Sequence, residues 1–459
     1  MIRALAWHHS QYIYPNRNEK RVTLPLPYLY CNSKGGRTMR LSRKAEWTAV
    51  IAMALVWGFV GLNRIGIAFL FPILQPLFHL NFTEVGLLIS GTSITWALST
   101  LIGGYLSDRI GFKPLYLFSM AIAAIFSSFL GIAWNFLSLF VIRDLIGLGD
   151  GVGWSVGQDI VGKISSPTRR AFNQGLVAAG YTLVGVGVGA FIITQLAINF
   201  GWRSVYWILA LPAIALVLLL MKLLPATRLT DQTSQVGTTS ATPLSLKDFL
   251  SLFRTWQMAV LIILNIVVLV WIQGFLGFAP LFLQHLKYPL ATSGLIITLV
   301  GVFGTIGQLA LPYFSDLIGR KPISIGALVI SALCLIVASV ISVPTFVLAT
   351  LMAISGFCSF GSLPIISATV VAESVPGSQT ASALGVTNFF AVLVGATLVP
   401  ILLGFIADKV GIATAILTIG IIQAIGMVLA LALRETAPRV TGLAWKTLDK
   451  REGMMETAL

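Results

Sequence analysis

Three ionisable residues stand in stretches otherwise fit for hydrocarbon: Arg64 in GLNRIGIAFL (61–70), and Arg143 and Asp150 at the two ends of RDLIGLGD (143–150). An arginine in the middle of a membrane segment costs about 2.5 to 3.5 kcal/mol on insertion scales, so its retention asks for an anion or a function. Seven residues separate Arg143 from Asp150, nearly two helical turns, which puts a positive and a negative group on one helix face. Arg64 lies 15 residues before His79 and Asp150 lies 15 after Asn135. At 1.5 Å per residue both therefore sit about 22 Å in from the same ends of their segments. A carboxyl group beside arginines has an evident chemistry. Ionised, it occupies the guanidinium groups; protonated, it releases them to hold another anion, so that binding of the proton and of the anion favour each other. A buried ion network that only stabilises the fold is the alternative. Asp144, about 100° round the helix from Arg143, and Asp159, on the far side from Asp150, fall outside this constellation.

The elements that position these residues follow from composition. The chain has 459 residues, 57% of them hydrophobic and only 10% charged, with a mean hydropathy of +0.91, so most of it must be dissolved in lipid. Twelve apolar stretches long enough to cross a bilayer as helices run over 47–78, 84–107, 114–133, 136–162, 171–199, 202–223, 254–284, 291–315, 322–342, 344–371, 379–407 and 411–433. The expected fold is an all-α membrane protein with twelve transmembrane helices in two pseudo-symmetric six-helix bundles. Residues 1–46 form an N-terminal tail, 47–223 the first bundle, 224–253 a Thr/Ser-rich linker, 254–434 the second bundle and 435–459 a C-terminal tail. Trp134 and Trp202 mark one membrane interface, Trp47 and Trp256 the other.

The three cysteines (Cys31, Cys334, Cys358) and four histidines (His8, His9, His79, His285) show no CxxC or metal-ligand spacing, which argues against a disulfide framework or a zinc site. With no nucleophile, base or metal constellation, an enzyme is not expected, nor is a cofactor. The net charge of +14 does not point to nucleic acid, because the basic residues lie in short loops. If the segments alternate, Arg43, Lys44, Arg109, Lys113, Arg169, Arg320, Lys321 and Arg434 fall on one side, while the other keeps only Arg203, Lys287 and Lys409. The positive-inside rule then places both termini and the linker in the cytoplasm.

The halves repeat. GGYLSDRIGFKP (103–114) returns as LPYFSDLIGRKP (311–322), and SPTRRAFNQGL (166–176) has an echo in VPGSQTASALGV (375–386). Duplication of this kind is how secondary transporters are built, with a site near the midplane between halves that rock about it. GYLSDRIGFKP resembles the signature loop of the major facilitator superfamily, Gly-x-x-x-Asp-Arg-x-Gly-Arg-Lys, with Phe112 in place of arginine; in the second copy Pro312 replaces the glycine and Leu317 the first arginine. The resemblance covers about residues 46–435. It implies that Asp108, Arg109 and Lys113, with Asp316, Arg320 and Lys321, act as a conformational latch between the halves, Asp159 being a further partner for Arg109 or Lys113. Charges that merely fix topology are the alternative.

A narrower resemblance rests on the first, fourth, seventh and eleventh segments. GLNRIGIAFLFP resembles the first span of the anion:cation symporter family, which often has Asp-Arg where this chain has Asn63-Arg64; RDLIGLGDGVGWSVGQ resembles its fourth, with Asp150 in place of a usual Glu. QGFLGFAPLFL resembles its seventh span, Gln273 standing for a common tyrosine, and NFFAVLVGATLVPILLG its eleventh, beginning at Asn388. The resemblance implies proton-coupled symport of a small organic anion, such as a sugar acid or an aromatic acid, by a monomer in the cytoplasmic (inner) membrane. Arg64, with Asn63, Gln273 and Asn388, would bind the substrate, and Asp150, with Arg143, would carry the coupling proton. Loss of the first-span acid at Asn63 removes one candidate proton site. Organophosphate antiporters need a second arginine in the seventh span, and 254–284 has none after Arg254.

The alternatives are an exporter of drugs or a transporter of an uncharged solute such as a sugar, with Arg64 structural, and, further off, a transporter-like receptor. Gly180, Gly185, Gly187 and Gly189 in the fifth segment, with Gly301, Gly304 and Gly307 in the eighth, are expected to be sliding contacts between halves. Trp57, Trp154 and Trp271 are candidates for either a cavity wall or packing. Residues 1–38 lack an apolar core or cleavage site, and Met39 opens RLSRKAEW, a normal basic lead into a first span. The expected start of the native chain is Met39; N-terminal sequencing checks it, and a mature chain beginning at Met1 would overturn it.

Overall fold

The computed structural model describes residues 28–33, 36–41, 43–166, 169–224, 255–375 and 379–441. By its contacts the chain divides into residues 1–47 and 48–459. The first unit contains an antiparallel hairpin of β1 (Tyr28–Ser33) and β2 (Gly36–Leu41), within the expected N-terminal tail. The linker expected at 224–253 lies, after Leu224, outside the described residues.

Among the described residues twelve long helices follow: α1 (Arg43–Phe78), α2 (Phe82–Ile110), α3 (Phe112–Ile132), α4 (Phe136–Ile164), α5 (Phe172–Phe200), α6 (Trp202–Leu223), α7 (Trp256–His285), α8 (Leu290–Ile318), α9 (Arg320–Val340), α10 (Thr345–Ser374), α11 (Ser382–Val410) and α12 (Ile412–Ala430). A short turn, α13 (Pro438–Thr441), follows. Ten of the twelve are long and apolar enough to cross a membrane. Of the other two, α4 carries Arg143, Asp144 and Asp150 within its apolar stretch, and α2 has no charged residue from Val85 to Ser107. Helices are the expected answer here, since hydrocarbon leaves each backbone N–H and C=O to be satisfied within its own segment. Where α2 and α4 begin, Asn81 and Asn135 cap them, each accepting from the backbone N–H three residues on.

The repeat seen in the sequence is explained by the turns. Gly111 and Gly319 end α2 and α8 with φ of 93° and 127°, a region open to glycine and costly for other residues, so the chain reverses at once into α3 and α9. In the first copy Lys113 Nζ then donates to Met221 O at the end of α6 (2.8 Å); in the second, Lys321 Nζ donates to Leu431 O at the end of α12 (2.6 Å). The same lysine thus neutralises the carbonyl end of the last helix in each bundle.

The bundles meet along α2 with α11 and along α5 with α8. At the end away from the termini, Asp408 of α11 receives Phe82 N (2.8 Å), Thr83 N (2.9 Å) and Thr83 Oγ1 (2.6 Å) at the start of α2. About two turns further along α2, Ser90 Oγ donates to Thr397 O (2.6 Å), and elsewhere Gln284 Nε2 of α7 donates to Pro72 O of α1 (3.1 Å). Of the glycines expected between the halves, only the pair Gly187 and Gly301 bridges them, backbone against backbone. Gly180 and Gly185 lie against α1, while Gly304 and Gly307 lie against α10, so most of that stripe packs within one bundle. Trp134 is exposed at its interface as expected, but Trp202 is buried edge-on against Phe78.

The Asp408 contact places a carboxylate on the free N–H groups of a helix that belongs to the other bundle, the favourable pole of that helix. Asp408→Ala is therefore expected to raise the population open at this end by roughly fivefold. Spin-label distances between His79→Cys and Lys287→Cys check this, and an unchanged distance distribution would count against it.

Candidate functional site

Arg64 sits on α1, half-buried, and faces the other bundle. Its Nη2 donates to Ser93 Oγ at 3.3 Å, its Nε has no partner, and its guanidinium lies 4.8 Å from the centre of the Trp96 ring. Gln273 of α7 donates through Nε2 to the same Ser93 oxygen at 3.1 Å. The Ser93 hydroxyl, which itself donates to Ile89 O, therefore joins Arg64 of the first bundle to Gln273 of the second. Sequence reasoning did not find Ser93 or Trp96: a helix serine bonded to the carbonyl four residues back leaves no pattern in the sequence.

Arg143 does not use its charge on Asp150. Its Nε donates to Leu88 O (3.0 Å) and its Nη2 to Arg64 O (3.2 Å), so it ties α4 to α2 and α1 through their backbones. Asp150 is fully buried and neither of its carboxyl oxygens has a hydrogen-bond partner, although both arginines lie within its electrostatic reach. Arg64, Arg143 and Asp150 are therefore electrostatic neighbours without a direct hydrogen bond between the arginines and the carboxyl. The physical reason is rise: seven residues share a face but are separated by about 10 Å along the axis.

Beside this level the bundles line an open cavity of about 340 Å³ whose wall includes Arg64, Trp96, Gln273 and Asn388. Three of the four residues expected to bind substrate thus face one space. Asn63 does not. Its Oδ1 accepts from Ser127 Oγ of α3 (2.8 Å), because the position next to Arg64 points about 100° away. Trp57 and Trp154 line the cavity, 4.6 Å apart, with Tyr181 beyond at 5.9 Å from Trp57. Trp271 is packing: it stacks on Phe275 and donates to Ser355 Oγ.

Four helices widen into π turns beside the cavity, over Tyr181–Val188, Val270–Phe275, Ile365–Thr369 and Ala391–Leu398. Tyr181, Gln273, Ser367 and Val392, one from each, stand on its wall. A π turn carries one extra residue per ring and leaves a helix locally distorted, which is where functional side chains are often found. Across the cavity Thr182 Oγ1 donates to Gln308 Oε1 at 2.8 Å, a further polar link between bundles.

The residues expected to latch the halves are held within their own halves in this conformation. Arg109 lies over Tyr105, 4.6 Å from its ring centre, and Lys113 is spent on the end of α6; the Asp108 side chain lies outside the described residues. In the second copy Arg320 pairs with Asp316 (2.6 Å) and Glu373 (3.1 Å) and donates to Ser315 Oγ. Glu435, just past α12, accepts from Arg320 N, Lys321 N, Thr436 N and Ala437 N. Burial pushes the Glu435 carboxyl up, but these four donors more than offset it and hold it below the usual glutamate range.

The profile of the Major Facilitator Superfamily matches residues 53–396 and 313–453 of this chain. A protein named "Hexuronate transporter" from Bacillus subtilis is 26% identical over 368 residues, 76% of this chain and 85% of its own length. A protein named "Probable 4-methylmuconolactone transporter" from Cupriavidus pinatubonensis is 23% identical over 409 residues, 86% of this chain and 91% of its own. Among solved structures, a bacterial homologue of the human lysosomal transporter Spinster, inward-facing and unoccupied, superposes with a TM-score of 0.73 at 16% identity, over 85% of this chain and 97% of that one. The nucleoside transporter NupG does so with 0.66 at 19% identity, over 84% and 98%. At these identities the two structures speak for the fold alone. Twelve helices in two repeated bundles, a cavity between them and a profile match over most of the chain lead to one family: the chain is a multi-pass membrane transporter of the Major Facilitator Superfamily.

Proposed function

We propose that this transporter carries a small organic anion together with protons by alternating access, in the cytoplasmic membrane, as a monomer with both termini in the cytoplasm. The observation that carries the reading is Arg64, a guanidinium deep in the bundle that faces the cavity with one long bond to a neutral hydroxyl and an unpartnered Nε. A half-buried cation so sparsely paired is a receptor for an anion, and the fork of an arginine fits a carboxylate. Gln273 and Asn388, from the other bundle, complete the contact, so that the substrate touches both halves as they rock. Curated relatives named for hexuronate and for 4-methylmuconolactone support an organic acid or a compound related to one.

Asp150 is the proton carrier in this scheme. A fully buried carboxyl with no donor is tolerable in such an interior when it holds a proton, or when a cation comes to it. Deprotonation leaves a negative charge within reach of Arg64, which competes with the substrate for the guanidinium; protonation removes the competitor. Proton and anion then bind cooperatively, and by linkage the effect is reciprocal. Arg143 acts as the frame. By fixing Leu88 O and Arg64 O it sets the spacing of α1, α2 and α4 on which the pair depends.

Two outcomes test this in proteoliposomes. Asp150→Asn is expected to abolish accumulation driven by a pH gradient while sparing exchange of labelled substrate across the membrane; a variant that still concentrates substrate would exclude Asp150 as the coupling site. Arg64→Ala is expected to weaken anion binding by roughly 30-fold or more, the cost of removing one partner of a buried charge pair. Transport of an uncharged solute at full rate by that variant would instead make the arginine structural.

A further inference from the structure

The wall of the central cavity supports a narrower statement, which rests on the anion-binding reading and deepens it. We propose that the substrate is a flat carboxylate with an apolar body, an aromatic or unsaturated ring acid, rather than a polyhydroxylated sugar acid. The first bundle lines the space with ring faces: Trp57 and Trp154 lie 4.6 Å apart and tilted by 32°, and Tyr181 lies 5.9 Å from Trp57. Aliphatic side chains of the second bundle, Ile272, Leu363 and Leu384, face the same cavity. An apolar ring gains from such walls, through burial and through offset or edge contacts with the aromatic faces.

Apart from Arg64, Asn388, Tyr181 and the indole N–H of Trp96, the polar side chains of the wall named here are already engaged. Thr182 Oγ1 donates to Gln308 Oε1 (2.8 Å), Gln273 Nε2 donates to Ser93 Oγ (3.1 Å), and Ser367 Oγ donates to Leu363 O (2.6 Å). A sugar acid brings a hydroxyl on nearly every ring carbon, and each one buried without a partner is penalised. Stacking a sugar on tryptophan satisfies its C–H face and leaves the hydroxyl rim unanswered. The carboxylate of a ring acid needs one strong site, and Arg64 supplies it. Its guanidinium is already set over Trp96, 4.8 Å from the ring centre, with Nε free. The volume of about 340 Å³ falls in the range of sites that hold one small organic ligand.

The test is equilibrium binding to the purified full chain, followed by thermal shift and by tryptophan fluorescence, with benzoate and 4-hydroxybenzoate against glucuronate and galacturonate, and benzyl alcohol as the neutral ring. The ring acids are expected to bind about tenfold or more tightly than the sugar acids. Trp57→Ala is expected to weaken benzoate about tenfold and Trp57→Phe by no more than about threefold, because the phenyl ring retains the stacking face. Sugar acids that bind as tightly as benzoate, and lose binding in Arg64→Ala, would overturn the ring-acid inference and leave the anion reading standing. Benzyl alcohol binding as tightly as benzoate, with no effect of Arg64→Ala, would overturn both. Binding of neither class of acid would also overturn the inference, since the ranking comes from the unmodified protein.

Discussion

A guanidinium held deep inside a helical bundle is the constraint around which the rest of the molecule is arranged. In such a place the guanidinium of Arg64 needs company, and what its surroundings offer is modest: the face of Trp96 and the oxygen of Ser93. That oxygen also receives Gln273 from the second bundle, so the charge and the interface between halves share one atom. Anything that changes the needs of the guanidinium changes the bond that joins the bundles. At this level the halves are held by a hydrogen bond between neutral groups, which is weak enough to break and remake.

The two arginines near the centre of the first bundle do different work. Arg143 is 2% exposed and donates to backbone carbonyls of α1 and α2, a use that fixes geometry. Arg64 keeps donors in hand. The contrast comes from position: Arg143 points into the packed seam of α1, α2 and α4, whereas Arg64 points at the gap between bundles. A similar division runs along the whole interface. At one end Asp408 sits on the N-terminus of α2 and closes the halves; at the other, the paired lysines, arginines and Glu435 keep to their own bundles and leave the cavity between them.

The internal repeat gives this architecture its economy. Gly111 and Gly319 turn the chain at the same place in each half, and Lys113 and Lys321 dock on the last helix of each half. The π turns at Tyr181–Val188 and Ala391–Leu398 also occupy matching places in α5 and α11. The departures from symmetry are where the site is. Arg64 and Trp96 belong to the first copy, and Gln273 and Asn388 to the second, so the cavity is built from two walls of different chemistry.

The sequence by itself determined the number and order of the helices, the duplication and the residues worth asking about. These are legible because hydrocarbon imposes length and apolarity on each segment independently of the others, and because a charge in such a segment stands out at once. Tertiary structure alone decided which of those residues meet. Asn63 and Arg64 are neighbours in the chain and face different partners, Ser127 of α3 and the cavity; Arg143 and Asp150 share a helix face and do not touch. Ser93, on which Arg64 and Gln273 converge, belongs to neither segment, and its hydroxyl is unremarkable until the two bundles pack. Helical periodicity gives direction round an axis, but contact depends also on rise along it and on the helix that lies opposite, and those are settled only when the bundles come together.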